Sequence, residues 1–133
     1  MKYVNKNTAA PTVEVVAVSC VMTAPDLLSE MKNFDSIFGT SGCYPYILGG
    51  HARSIFRFGK PHLELLSMWN YLKEETGITF DLVYAAPAWC QILCDWKMNS
   101  EYWFDSNIIY LHCGGIEGNE SQLQRYQHLI SNL

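Results

Sequence analysis

The side chains of this sequence that could do chemistry gather in a few short strings. The string Asn107-Ile108-Ile109-Tyr110-Leu111-His112-Cys113-Gly114-Gly115 joins an imidazole and a thiol to paired glycines. Ile108 to Leu111 reads as a buried strand, because a continuous apolar run of strand-favouring residues lies between turn residues. Glycines at the carboxyl end of a buried strand let a ligand approach the backbone, since no Cβ intervenes. In open α/β sheets ligands lie outside those ends. Cys113-Gly114-Gly115 therefore reads either as a small-molecule or cofactor site or as a tight strand-to-helix turn without a ligand. Upstream, Phe80-Asp81-Leu82-Val83-Tyr84 reads as a second strand. If the two strands are adjacent and parallel, Tyr84 reaches the same rim of the sheet. A phenol there could hold a carboxylate or pass a proton; a tyrosine with its hydroxyl in water is the alternative.

Two weaker constellations follow. Cys90 and Cys94 stand at i, i+4 of an expected helix, with His112 and Cys113 downstream. A zinc site needs about four such ligands, but Trp89, Ile92, Leu93 and Trp96 surround the two thiols, so core packing is the simpler reading. Cys113 as a nucleophile would need a lowered thiol pKa. Gly39-Thr40-Ser41-Gly42 could present backbone donors to a phosphate. It lacks the spacing of a nucleotide motif and a helix directly after it, so a surface loop is expected.

Alternating strands and helices must position these groups. Residues 1–12 read as a tail or a truncated connection, and residues 13–133 as one α/β domain. Val13-Glu14-Val15-Val16-Ala17-Val18 is β-branched and strand-like. Thr23-Ala24-Pro25-Asp26 starts a short helix with Leu27, Leu28 and Met31 on one side. Residues 33–58 are rich in glycine and show no clear element. Pro61 is expected at the first position of a helix, with Glu64 in its first turn. Leu65, Met68, Trp69 and Leu72 give that helix one apolar stripe, and Gly77 ends it. Ala85-Ala86-Pro87 opens the next helix, to about residue 97. A last helix after Gly118-Asn119 carries Leu123, Tyr126, Leu129 and Ile130. Such alternation predicts a mainly parallel open sheet flanked by helices.

Composition bounds the partners. Of 133 residues, 49% are hydrophobic and 17% charged, which leaves too little charge to coat the surface and predicts an apolar face that something else covers. The net charge of −4, with no basic cluster, excludes nucleic acid and anionic membrane as main partners. Five irregularly spaced cysteines fit a reducing compartment. The first residues lack a signal-peptide core and residues 13–22 are too short to span a bilayer, so a cytoplasmic location is expected.

Three motifs in order carry a resemblance: Phe56-Arg57-Phe58-Gly59-Lys60-Pro61, then Gly77-Ile78-Thr79-Phe80-Asp81-Leu82-Val83-Tyr84, then Ile109-Tyr110-Leu111-His112-Cys113-Gly114-Gly115. The series resembles the carboxyl-terminal part of the pyridoxal-phosphate-dependent family of 1-aminocyclopropane-1-carboxylate deaminase and D-cysteine desulfhydrase, of the tryptophan-synthase-β-like fold. There, Tyr-Gly-x-Pro precedes a helix, Asp-Pro-Val-Tyr follows it, and His-x-Gly-Gly comes near the end. The resemblance implies that Tyr84 lies beside the substrate. It places Cys113, Gly114 and Gly115 beside the pyridine ring of pyridoxal phosphate, and Ala85 where relatives contact the ring nitrogen. Phe58 falls on the substrate side.

The departures are as informative. Phe58 replaces the tyrosine of Tyr-Gly-x-Pro, Leu82 replaces a proline, and Ala85 lacks a polar group. A thiol at Cys113 is a weak partner for a ring nitrogen. No lysine matches the one that forms the imine such enzymes require, and no glycine-rich phosphate loop precedes residue 13. The resemblance thus implies the carboxyl-terminal fragment of a deaminase or lyase of a small amino acid, inactive alone, which packs on missing amino-terminal sequence or on itself. A cofactor-free interaction module of the same fold, and a small thiol or metal protein, are the other readings.

Overall fold

The computed structural model describes residues 2–3, 13–39, 42–48, 56–104 and 106–132. The chain divides into two compact units, Met1–Ser54 and Ile55–Leu133.

In the first unit, β1 (Lys2–Tyr3) pairs antiparallel with β2 (Val13–Glu14). β3 (Val16–Val18) pairs parallel with β4 (Tyr46–Leu48), in register Val16 to Tyr46. Parallel strands need a crossover, and α1 (Ala24–Phe38) lies within it. Thr23 caps α1 by accepting the Asp26 amide at 3.3 Å, Pro25 occupies the first turn where no amide is needed, and Gly39 closes the helix at φ 66°. Leu27, Leu28 and Met31 are half-buried as their spacing predicts. The helix nonetheless runs on to Phe38, into the stretch from residue 33 that showed no clear element. The strand-like reading of residues 13–18 holds, interrupted at Val15. Thr40, Ser41, Gly49 and Gly50 lie outside the described residues.

In the second unit every regular element among the described residues is a helix. α2 (Leu63–Thr76), α3 (Ala85–Met98), the short α4 (Ser100–Trp103), a 3-10 turn (Ile116–Gly118) and α5 (Asn119–Ser131) follow in order. The expected stripe of α2 faces inward: Leu65, Trp69 and Leu72 are buried with Phe80, Leu82, Ala85, Ala86 and Tyr126. Met68, Trp89, Cys90, Tyr110 and Leu123 pack around that core. Gly77 caps α2 in the left-handed region at φ 69°, as its place after the stripe predicts. Pro61 does not open α2. His62 stands between them in an extended conformation, its amide donating to the Tyr126 hydroxyl at 3.3 Å and its carbonyl accepting the Leu65 amide.

The sheet expected in this unit is absent among the described residues. Residues 80–84 form a turn that caps α3, for a reason that lies in Asp81 and is developed below. Without that strand, Ile108 to Leu111 joins no ladder among the described residues. Its side chains still alternate: Tyr110 packs on Phe80 and Trp89, while Ile109 and Leu111 are 86% and 80% exposed. The architecture is therefore α/β with a two-stranded parallel pair in one unit and a helical core in the other. Among the described residues, no helix is long and apolar enough to cross a membrane.

Candidate functional site

The turn between α2 and α3 holds the most closely knit polar cluster of the second unit. Asp81 is buried, and its carboxylate accepts the amides of Val83 at 3.0 Å, Tyr84 at 2.5 Å and Ala85 at 3.0 Å. These amides head a helix and have no partner within it. A carboxylate there also meets the positive end of the helix dipole. Three charge-assisted bonds outweigh the strand propensity of Phe80, Val83 and Tyr84, so the chain turns where a strand was expected.

Asn119, the first residue of α5, completes the cluster from far along the chain. Its Oδ1 accepts the Leu82 amide at 2.9 Å, and its Nδ2 donates to the Phe80 carbonyl at 2.8 Å. Trp69 of α2 donates its indole N–H to the same carbonyl at 2.6 Å. Three helices are thus tied to one turn by buried polar bonds. Sequence reading did not single out Asp81 or Asn119. The available signal was a carboxylate inside an apolar run, where strands disfavour it.

The residues singled out in the sequence distribute around this turn. Tyr84, half exposed, ends it, and its ring lies 5.4 Å from that of Phe58, tilted by 48°. Gly115 stands against Asp81: a Cβ there would lie 3.3 Å from the Asp81 Cβ and 3.4 Å from its carboxyl carbon. Gly115 also has φ 94° and Gly114 φ 96°, values that L side chains rarely adopt. The three motifs therefore meet, Phe58 through Tyr84 and Gly115 through Asp81. The close approach made by Gly115 is to protein.

Ala85 has no exposed surface and packs inside the core. Cys113 is exposed, with its sulfur 3.7 Å from the Leu111 carbonyl. His112 meets the Phe80 ring edge to face at 5.5 Å, and its Nδ1 accepts the Gly114 amide at 3.3 Å. Cys90 is a packed thiol: burial, then the charges of Glu64 and Cys94, push its pKa up to about 11. It stays protonated at neutral pH, the form that neither attacks nor ligates. Among the described residues no three His, Cys, Asp or Glu side chains gather as a metal site requires.

Chemically, the cluster offers an exposed aromatic pair with one phenol, next to a turn fixed by buried bonds. A ring pair of this kind can seat an apolar or planar group, and the phenol can donate or accept a proton. It does not by itself fit pyridoxal phosphate. Among the described residues no lysine bonds to Asp81 or Asn119, and the side chain placed at the ring nitrogen, Ala85, is enclosed. Compared with known proteins, the chain matches no family model, and no curated protein is significantly similar to it. The resemblance rests on the three motifs alone.

Proposed function

We propose that this chain supplies the substrate-side part of a pyridoxal-phosphate-dependent deaminase or lyase acting on a small amino acid, built as the carboxyl-terminal portion of a tryptophan-synthase-β-like fold. The observation that supports this reading is the convergence of the three motifs on the Asp81 turn, with Phe58 against Tyr84 and Gly115 against Asp81. In this reading Tyr84 holds the substrate carboxylate or moves a proton, and Phe58 packs the phenol in place. The imine lysine and phosphate loop belong to other sequence, so the chain alone is inactive. The chain is cytoplasmic in this reading, its partners the small amino acid and that other sequence.

Sequencing the transcript upstream of the Met1 codon and expressing the whole reading frame tests it. An extended product with a lysine and a glycine-rich loop should bind pyridoxal phosphate as a lysine imine. It should also release ammonia from 1-aminocyclopropane-1-carboxylate or sulfide from D-cysteine. Tyr84→Phe should then cut kcat by about 10²–10⁴, the usual contribution of a positioned acid or base. An in-frame stop directly upstream would overturn the reading.

The exposure of Ile109, Leu111 and Phe104, at 86%, 80% and 83%, favours a second reading. In it the chain is a cofactor-free interaction module whose apolar face docks a partner. Concentration-dependent self-association without cofactor, measured by sedimentation, would support that one.

A further inference from the structure

Away from the Asp81 turn, the residues just before α2 and one face of α5 enclose an open groove of about 460 Å³. That volume is within the usual range of small-molecule sites. Lys60 and Pro61 form one wall, and Arg125, His128 and Leu129 form the other. Arg125 and His128 share a helix face at i, i+3. No Asp or Glu is among the described residues lining the groove.

That absence is notable against the local charge. Residues 55–133 hold nine Asp or Glu and five Lys or Arg. Two of those five cations open into one groove, without a carboxylate to offset them and with an imidazole beside them. Like charges gathered this way repel, and an anion between them relieves the repulsion. The Arg125 guanidinium donates to Gln122 Oε1 over a long 3.5 Å. A planar fork of donors held so loosely suits the paired oxygens of a phosphate. Ser121 does not compete as a donor, because its hydroxyl donates to the Gly118 carbonyl at 2.9 Å. Pro61 and Leu129 supply the apolar surface on which a small organic body could rest.

We infer that this groove is a binding site for a phosphate group, either free or carried as the monoester of a small organic molecule. Lys60 meets it as a point charge, Arg125 as a fork, and His128 as a ring donor. The site shares no residue with the Asp81 cluster and does not depend on the function proposed above.

Titration of the full chain at constant ionic strength tests this, with phenyl phosphate, inorganic phosphate and benzoate as probes, read by calorimetry or amide chemical shifts. Saturable phosphate binding is expected, with benzoate at least tenfold weaker. Lys60→Gln and Arg125→Gln should each weaken it by about 10–100-fold, the worth of a hydrogen bond to a charged group. Arg125→Lys, which keeps the charge but not the fork, should fall between. Tighter binding of phenyl phosphate than of phosphate would assign an organic ester, and equal binding the free anion. No saturable phosphate binding would overturn the inference. So would unchanged affinity in the Lys60→Gln/Arg125→Gln double variant with native circular dichroism.

Discussion

Replacing each glycine of the Gly114-Gly115 pair by alanine separates what the two residues do. Both sit at nearly the same positive φ, 96° and 94°, so both substitutions carry the same backbone strain, about 1–2 kcal/mol. Around Gly114 an added Cβ meets nothing within 4 Å. At Gly115 it meets Asp81 at 3.3–3.4 Å, tighter than ordinary contact. Asp81 cannot easily give way, because three amides hold its carboxylate. Overpacking of this kind costs about 1–3 kcal/mol more. Gly114→Ala should therefore lose about 1–2 kcal/mol, and Gly115→Ala about 2–5 kcal/mol. Urea unfolding followed by tryptophan fluorescence measures both. All four tryptophans, Trp69, Trp89, Trp96 and Trp103, lie in the second unit, so the signal reports on the unit that carries the substitutions. Equal losses, within about 0.5 kcal/mol, would refute the argument that Gly115 is required by its approach to Asp81.

Three other outcomes follow from the same unit. Asn119→Ala removes two buried bonds and leaves the Leu82 amide without a partner, which should lower stability by about 2–4 kcal/mol in the same unfolding assay. Trp69→Phe removes one bond to a carbonyl that Asn119 still serves, and should cost about 1–2 kcal/mol; a larger loss than for Asn119→Ala would contradict the assignment. Burial raises Cys90 from 9.0 to about 11 and raises Tyr126 above its ordinary 10.0, so the folded chain keeps these protons longer than the unfolded one. Stability should be full below pH 9 and fall as pH rises toward 11, with a shallower fall in Cys90→Ala; an identical slope in that variant would show that Cys90 is not the group responsible.

Local patterns made the helices legible. The stripe Leu65, Trp69, Leu72 and the stop at Gly77 depend only on neighbours a turn apart, and both appear in α2. The end of α1 was also encoded, since Leu27, Met31, Phe34 and Phe38 keep helical spacing up to Gly39. β4 was missed because three residues, Tyr46 to Leu48, give too short a signal against a glycine-rich background. The error at residues 80–84 has a different origin. Propensity favours a strand there, but the side chain of Asp81 competes for the backbone, and Asn119 secures the result from 37 residues beyond Leu82. No local reading contains that partner. For the same reason the resemblance could put Phe58 and Tyr84 on the substrate side but could not show that their rings meet, and nothing in the sequence paired Lys60 with Arg125.

The four successive amides of Leu82, Val83, Tyr84 and Ala85 are held by side-chain oxygens and not by a helix or a ladder. Their exchange with solvent deuterium is therefore gated by the rotation of two side chains, and needs no unwinding of α3. Val83 to Ala85 answer to Asp81, and Leu82 answers to Asn119 on α5. The Leu82 amide is thus a built-in probe of whether the last helix is seated, readable without a label and distinct from the three amides that follow it.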